Sequence, residues 1–233
     1  MSAPAVTKLE AEAALARELE LLNHVRLSPE DRFLWLWQSP QSLVAPRKLS
    51  KLPGYEAVCA DLARAGWPVS LRATGGDVTP QGPGIINVSH VYATRPGQGF
   101  GIEEGYNALC TPIEAALGAG ASRGWQPGAF CDGAHNVQWN GLKFAGTAMR
   151  FKRCAVDKGR QAILAHALML IAPPPPEAIE ALNRFLSTLS EPRVINLAAH
   201  TGLPPNLDQG TFLTRLVAAF EDLPDPTPVQ VLG

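Results

Sequence analysis

Two short segments of this 233-residue chain carry the residue types that could do chemistry. One is a glycine-rich loop that opens with a cation and runs over residues 72–84, RATGGDVTPQGPG. Its paired glycines, Gly75 and Gly76, permit positive φ and leave backbone N–H groups uncovered, so the loop could bind an anion or a carbonyl oxygen. Arg72 adds a permanent positive charge. We therefore expect the backbone of this loop to approach a ligand closely.

The second segment, residues 140–148 (NGLKFAGTA), contains one lysine directly after a tight turn. Asn-Gly is a strong signal for a two-residue hairpin, which predicts Lys143 at the start of the second hairpin strand. Small residues that follow it, such as Gly146, indicate that backbone or a ligand packs closely there. A lysine in such surroundings needs a carbonyl or anionic partner, or it loses its proton. The alternative is an exposed lysine on an edge strand.

Cys131 lies between turn-forming residues just ahead of this hairpin and is a candidate nucleophile. A loop cysteine is more accessible than one in a helix or strand core, and the ammonium of Lys143 would favour its thiolate. The alternative is a small buried apolar side chain. His135 is near enough in sequence to be a candidate base. The histidines show no HxxxH or HxH spacing, so no metal site is predicted.

The composition narrows the class of protein. A net charge of −1 gives no electrostatic case for nucleic acid or an anionic membrane. The four cysteines form no CxxC pair, which argues against structural zinc or a disulfide framework and favours a reducing compartment. We see no signal peptide and no apolar run that could span a bilayer. These features predict a soluble cytoplasmic protein.

Helices and strands are predicted to alternate along the chain. The predicted helices are 9–26, 54–66, 103–119, 177–189 and 210–222, and the predicted strands outside the hairpin are 33–37, 42–45, 67–71, 85–92 and 161–171. This order predicts an α+β fold with a mixed, largely antiparallel β-sheet flanked by helices. We expect a single domain over residues 8–222, between an N-terminal tail (1–7) and a loose C-terminal tail (223–233).

Together these segments resemble the superfamily of lipoate–protein ligases, lipoyl(octanoyl) transferases and biotin–protein ligases. Residues 75–84 are similar to the GGxxTxHGPGQ loop of the transferases and, with Arg72, to the RRxSGGGAVxHDxG loop of lipoate ligases. Residues 141–148 are similar to the GxKIAGxA strand that carries the family's lysine, and residues 166–170 to its HGxLL strand. The resemblance, over roughly residues 10–205, implies an acyl chain in a slot between the glycine-rich loop and the lysine strand.

The resemblance also implies a reaction, namely transfer of an octanoyl or lipoyl group to a lysine of a lipoyl carrier domain or a glycine-cleavage H-like protein. One transferase subgroup places its cysteine just before the lysine strand, in a pattern like YCPGxYDLxxxGKKFAG, and residues 130–146 are similar to it. By this resemblance the catalytic residues are Cys131 and Lys143. The substrate-binding residues are then Arg72, Thr74, Gly75, Gly76, Asp77, Gln81, Gly84, Gly146, Thr147, Ala148 and His166.

Three activities stay open at this point. The favoured one is an acyltransferase that forms a thioester on Cys131, with acyl carrier protein as a possible donor and no cofactor or metal. The second is a lipoate–protein ligase that uses ATP and magnesium to form a lipoyl-adenylate, although Ala73 and Asp77 replace an arginine and a glycine of the ligase loop. The third is a non-catalytic module that binds lipoyl domains. A biotin ligase is disfavoured because no second arginine-rich loop accompanies the Arg72 segment.

Overall fold

The computed structural model describes residues 3–99, 101–224 and 227–233. Within them the helices are α1 (Ala11–Leu27), α2 (Tyr55–Arg64), α3 (Ile102–Leu117), α4 (Pro176–Thr188) and α5 (Gln209–Glu221). The strands are β1 (Thr7–Lys8), β2 (Phe33–Gln38), β3 (Ser42–Pro46), β4 (Val69–Arg72), β5 (Thr79–Gln81), β6 (Ile85–Ala93), β7 (Ala121–Arg123), β8 (Val137–Trp139), β9 (Leu142–Arg153), β10 (Gln161–Leu170) and β11 (Gln230–Leu232). The predicted helices are confirmed to within two residues at each end.

The strands form a large mixed sheet and a small one, as predicted for an α+β fold. The large sheet has the order β1-β2-β6-β10-β9-β8-β7, with β11 also paired to β2. Its pairs from β2 to β7 are antiparallel, whereas β1 and β11 run parallel to β2. The small sheet has the order β4-β3-β5.

Helices cover both faces of the large sheet, which explains why its central strands are nearly continuous apolar runs. On one face α1 packs on odd-numbered residues of β2 and even-numbered residues of β10, such as Trp35 and Leu164. On the other face α3 and α5 pack on the alternate residues, such as Leu36 and Ile163. Because successive side chains of a strand point to opposite faces, alternate residues of each strand belong to different cores.

The small sheet joins the large one through a third core. Its apolar residues and those of α2 and α4 pack with Phe130, Cys131 and Leu168. In the structure the glycine-rich segment 72–84 contributes Arg72 to β4 and residues 79–81 to β5. The loop left between these strands, residues 73–78, keeps the name glycine-rich loop and lies at the junction of the two sheets. This junction is where the segments singled out from the sequence meet.

The Asn-Gly hairpin is confirmed, and the end of the chain differs from expectation. Asn140 and Gly141 have φ of 49° and 75°, which suits the turn between β8 and β9. Within the tail expected to be loose, β11 pairs with Phe33–Trp35 of β2. Like β1, it is too short for a periodic pattern and takes its conformation from the edge of β2. None of the helices in the described ranges combines the length and apolar character that a membrane crossing requires.

Candidate active site

Lys143 lies at the start of β9 and is fully buried. Its ammonium donates hydrogen bonds to the main-chain oxygens of Phe130 at 2.5 Å and Cys131 at 2.9 Å, and to Oδ1 of Asn136 at 3.1 Å. These acceptors use all three N–H groups of the amine. Burial lowers the pKa of Lys143 to about 8, while the neighbouring Cys131 and Asp132 oppose that shift. The structure therefore excludes an exposed edge lysine and shows an ammonium that holds one loop in place.

That loop, residues 128–136, is the cysteine loop, and it holds Cys131 in an unusual conformation. Cys131 has a φ of 46°, in the left-handed region that residues with a side chain rarely adopt. Its side chain is turned toward the glycine-rich loop, where the N–H of Asp77 donates to Sγ at 3.4 Å. The two loops predicted to form the site thus meet at one sulfur atom.

The position of Gly76 leaves no room for a side chain. A Cβ added to Gly76 would lie 2.8 Å from Sγ of Cys131 and 2.9 Å from Nη2 of Arg72, and its φ is +95°. A side chain would therefore displace the thiol, the guanidinium or the loop itself. Gly75 differs, because an added Cβ there meets nothing within 4 Å.

Arg72, the last residue of β4, binds main-chain oxygens of the glycine-rich loop. The buried guanidinium donates to the main-chain oxygens of Val44 at 3.1 Å, Gly75 at 2.9 Å and Asp77 at 2.5 Å. Burial lowers its pKa, while the charges of Cys131 and Asp77 oppose the shift. Its fork is thus occupied mainly by protein carbonyls, and its charge lies beside the thiol.

A slot with a cavity volume of about 30 Å³ begins at Cys131 and crosses the face of the large sheet. Its floor contains Gly146, Leu168, Asn87 and Trp37, which are register partners on the adjacent strands β9, β10, β6 and β2. Three inter-strand steps span about 14 Å. The remaining lining residues are Leu15, Val44, Arg72, Thr79, Gln81, Thr147, Ala148 and His166. The lining thus extends across four strands, but its free space would hold only a couple of water molecules, so an acyl chain would enter only as the lining side chains move apart.

A second opening also reaches Cys131. This mouth, of about 170 Å³, is lined by the paired glycines, Tyr106, residues 131–136 and residues 147–149. His135 is part of its rim, where it stacks on Tyr106 at 3.8 Å between ring centres and lies 3.5 Å from Glu103. Cys131, Thr147 and Ala148 line both openings, so the thiol lies where the slot and the mouth meet.

His166 lines the slot as part of a buried polar chain that the sequence did not reveal. Its Nδ1 lies 2.9 Å from Oε1 of Glu18, and its Nε2 lies 2.9 Å from the hydroxyl of Thr74 in the glycine-rich loop. The Glu18 carboxylate accepts from Nδ1, and Nε2 shares a hydrogen bond with the Thr74 hydroxyl, which can act as donor or acceptor. Glu18 is buried and also accepts from Ser89 at 2.6 Å. Its position on the apolar face of α1, where an aliphatic residue is expected, was the available signal.

His200 is a second residue that sequence reasoning missed. Its Nε2 accepts from the N–H of Phe130 at 3.2 Å, and its ring stacks on that of Phe130. Burial and the charge of Lys143 lower the pKa of His200 to about 4, so the ring is neutral at neutral pH. His200 thus supports the cysteine loop although it lies far from Phe130 in the sequence. No pattern in the residues around His200 predicts this role.

Three other predicted residues have distinct positions. The Asp77 carboxylate accepts from the N–H of Val78 and lies 2.5 Å from the guanidinium of Arg193. Gln81 lines the slot and exchanges two hydrogen bonds with Asn87. Gly84 lies in a turn whose carbonyl accepts from Ile171 and Ala172, and it lines neither the slot nor the mouth. Within residues 3–99, 101–224 and 227–233, no three or more His, Cys, Asp or Glu side chains are grouped so that they could hold a metal ion.

The family of lipoyl protein ligase A/B catalytic domains matches residues 10–221. An uncharacterised protein of Cupriavidus necator is 36% identical over 170 residues, which cover 68% of this chain and 67% of that protein. An octanoyl-[GcvH]:protein N-octanoyltransferase of Kyrpidia tusciae is 38% identical over 147 residues, 59% of this chain and 49% of the transferase. The chain thus aligns with about half the length of this curated transferase.

Solved structures agree with this match at the level of the fold. A crystal structure of lipoate-protein ligase A bound with ATP aligns over 100% of this chain and 90% of its own, with a TM-score of 0.67 and 15% identity. The chain belongs to the family of lipoyl protein ligase A/B catalytic domains. Both the predicted family and the predicted fold class are confirmed.

Proposed function

We propose that this protein transfers an octanoyl or lipoyl group to a lysine of a carrier domain through a thioester on Cys131. The observation that supports this most directly is the position of the Cys131 thiol. It lies where a slot lined across four strands meets a second opening, and it accepts from the N–H of Asp77. We place this activity in one catalytic domain, residues 8–222, acting in the reducing cytoplasm.

In the first step, the Cys131 thiolate attacks the carbonyl carbon of the acyl donor, which is a thioester on acyl carrier protein or an amide on the lysine of an H-like protein. A bond forms between Sγ and that carbon, the donor's carbon–sulfur or carbon–nitrogen bond breaks, and the leaving thiolate or amine takes a proton from solvent. The buried cations of Arg72 and Lys143 lie close to this sulfur. The N–H of Asp77, already aimed at the sulfur, is placed to donate to the developing oxyanion.

In the second step, the neutral amine of the carrier's lysine enters by the mouth and attacks the Cys131 thioester. A carbon–nitrogen bond forms, the bond to Sγ breaks, and the amine proton passes to the leaving sulfur or to solvent. The acyl chain stays in the slot throughout. Lys143, whose three N–H groups are used by the cysteine loop, acts here by fixing that loop and by its charge. No metal or cofactor takes part in this reaction.

The relatives support this choice of reaction and partner. Octanoyl-[GcvH]:protein N-octanoyltransferases from three bacteria align with 49–53% of their lengths, and their names specify octanoyl transfer from the carrier GcvH to a protein. We therefore infer that the substrates here are a glycine-cleavage H-like protein and a lipoyl domain. An ATP-dependent ligase is the competing activity, since structural neighbours include ligases bound with ATP or with lipoic acid.

Mass spectrometry of the intact protein tests the proposal. After incubation with octanoyl acyl carrier protein, or with an octanoylated H-like protein, the wild type is expected to gain one octanoyl group and to pass it to an added lipoyl domain. The Cys131→Ala variant is expected to do neither. Transfer by Cys131→Ala at the wild-type rate would refute the thioester mechanism, and AMP release that depends on lipoate and ATP would favour the ligase.

A further inference from the structure

A buried carboxylate lies beside the reacting sulfur. Asp77 is 3% exposed, and its own N–H donates to Sγ of Cys131 at 3.4 Å. Burial lowers the pKa of Arg72 and of Lys143, and the charge of Asp77 is among those that oppose both shifts, so the carboxylate lies close to these two cations. A buried charge that lacks a partner is costly. Beside a carbonyl that becomes an oxyanion, an unpaired carboxylate would also oppose the reaction.

The two oxygens of this carboxylate have different partners. Oδ1 of Asp77 accepts from the N–H of Val78 at 2.8 Å, a contact within the glycine-rich loop. Oδ2 lies 2.5 Å from Nη1 of Arg193, and no hydrogen bond reaches this oxygen from the described residues. The ion pair with Arg193 is therefore what offsets the burial of Oδ2.

The segment that carries Arg193 follows α4 and contacts both loops of the active site. Asn183 of α4 exchanges two hydrogen bonds with the main chain of Ile195, at 2.7 and 2.9 Å, and so fixes the segment. The N–H of Asn196 donates to the main-chain oxygen of Gly128 in the cysteine loop at 2.7 Å. This segment thus holds the cysteine loop through Asn196 and the glycine-rich loop through Arg193.

The Arg193 guanidinium is part exposed, with 42% of its side chain accessible, but its partner is buried. Burial alone would lower the pKa of Arg193, and the carboxylates of Asp77 and Glu191 raise it above its ordinary value. Nη1 contacts Asp77, whereas Nη2 lies 3.3 Å from Glu191. Because Asp77 meets one nitrogen and not the whole planar fork, a lysine ammonium could replace this contact.

We propose that Arg193 is a positioning residue for acyl transfer, whose ion pair with Asp77 ties the glycine-rich loop to the segment after α4 and keeps the N–H of Asp77 directed at the reacting centre. Arg193 lines neither the slot nor the mouth, so it acts through Asp77. This inference rests on the proposed function, in which that N–H donates to the oxyanion. It adds a residue outside both loops that sets the rate of acylation.

The test is a double-mutant cycle of Arg193→Gln and Asp77→Asn. Arg193→Gln leaves the carboxylate without its partner, whereas Asp77→Asn removes the charge and keeps an acceptor for the N–H of Val78. The matched control is Arg184→Gln, since Arg184 is similarly exposed and is paired with Asp61 between α4 and α2. Acylation of the active-site thiol by a small octanoyl thioester, at a series of donor concentrations, gives the maximal rate and the concentration for half of it. Thermal melting verifies that the variants are folded.

We expect the maximal rate of Arg193→Gln to fall roughly tenfold, while its half-saturating donor concentration stays within about twofold of the wild type. Asp77→Asn should lose about as much, and the double variant no more than either single one, because both changes break the same pair. Arg193→Lys keeps the charge and should recover to within about threefold of the wild type. The control Arg184→Gln is expected to stay within about twofold.

A wild-type maximal rate in folded Arg193→Gln, an equal loss in the control, or losses that multiply in the double variant would overturn the proposal. If Arg193→Gln does not fold, Asp77→Asn decides, because it leaves no buried charge unpaired: the expected loss supports the pair and a wild-type rate refutes it. Failure of the proposed function has a separate signature, which is a wild-type protein that no donor acylates. In that event hydrogen exchange of the Asp77 amide decides: faster exchange in Arg193→Gln than in the control supports Arg193 as the residue that fixes this N–H, and equal exchange refutes it.

Discussion

The glycine-rich loop and the cysteine loop meet at one sulfur, but they are held in different ways. In the glycine-rich loop the unusual backbone conformation falls on Gly76, which adopts it without a Cβ penalty, and Arg72 binds the loop's carbonyls. In the cysteine loop the left-handed conformation falls on Cys131, whose Cβ makes that conformation unfavourable. That loop needs Lys143 on its carbonyls and His200 on an N–H. The glycine-rich loop is thus shaped by its own sequence, and the cysteine loop by distant residues.

Removing the ammonium tests the cysteine loop most severely. In Lys143→Met, two buried main-chain oxygens and an amide oxygen lose their donor. We expect a loss of at least about 3 kcal/mol in unfolding free energy. Transfer should fall about 100-fold or more, because the thiol is no longer positioned. Urea denaturation and the transfer assay measure the two effects. Cys131→Ala is the reference, because it should abolish transfer while the stability stays near that of the wild type; a Lys143→Met protein of wild-type stability would contradict this account.

Acid should weaken the support that His200 gives. Its pKa is about 4 in the folded protein, below the ordinary value of 6.5, so its contribution is complete above pH 6.5 and is lost as the pH falls toward 4. The expected loss is about 2 kcal/mol by pH 5. His200→Gln keeps an acceptor for the N–H of Phe130 but does not titrate. The difference in unfolding free energy between wild type and variant should therefore move by that amount, in favour of the variant, from pH 7 to pH 5. A constant difference would contradict the prediction.

Adjacent glycines provide a matched pair in the glycine-rich loop. Gly76→Ala forces a side chain into positive φ and against Sγ, so we expect about 1–2 kcal/mol of destabilisation and at least a tenfold slower acylation of Cys131. Gly75→Ala meets open space, and its stability and rate should be close to those of the wild type. The rate of Cys131 acylation by a small octanoyl thioester measures both. Equal rates in the two variants would show that the contact at Gly76 does not matter.

The smallest effect is expected at the carboxylate behind the glycine-rich loop. Glu18→Gln keeps acceptors for Ser89 and His166 but removes the charge, which should cost about 1 kcal/mol and slow transfer a few-fold through a looser Thr74 contact. Glu20→Gln, at an exposed residue paired with Arg17, should change stability by less than about 0.5 kcal/mol. Similar losses in both variants would remove the case for the buried chain.

The contrast between the loops also shows which features the sequence could predict. Gly75-Gly76 and Asn140-Gly141 carry their backbone requirements in their own residue types, and the longer helices and strands carry theirs in periodicity. Glu18 and His200 are different, since each acts through a contact with residues far away in the chain. The short strands β1 and β11 likewise depend on the edge of β2. Turns and periodic elements were therefore predictable from the sequence, whereas residues and strands that depend on distant contacts were not.

The slot crosses the strands of the large sheet instead of running along them, so inter-strand spacing would set the length of acyl chain that fits. Leu168 lies one strand from the sulfur end, Asn87 two and Trp37 three. Each step adds about 4.8 Å. A bulky residue in place of Leu168 would restrict the protein to short acyl groups, and a small one in place of Trp37 would admit longer ones. Chain-length selectivity in this fold would then change by whole strands, and a single substitution could reset it.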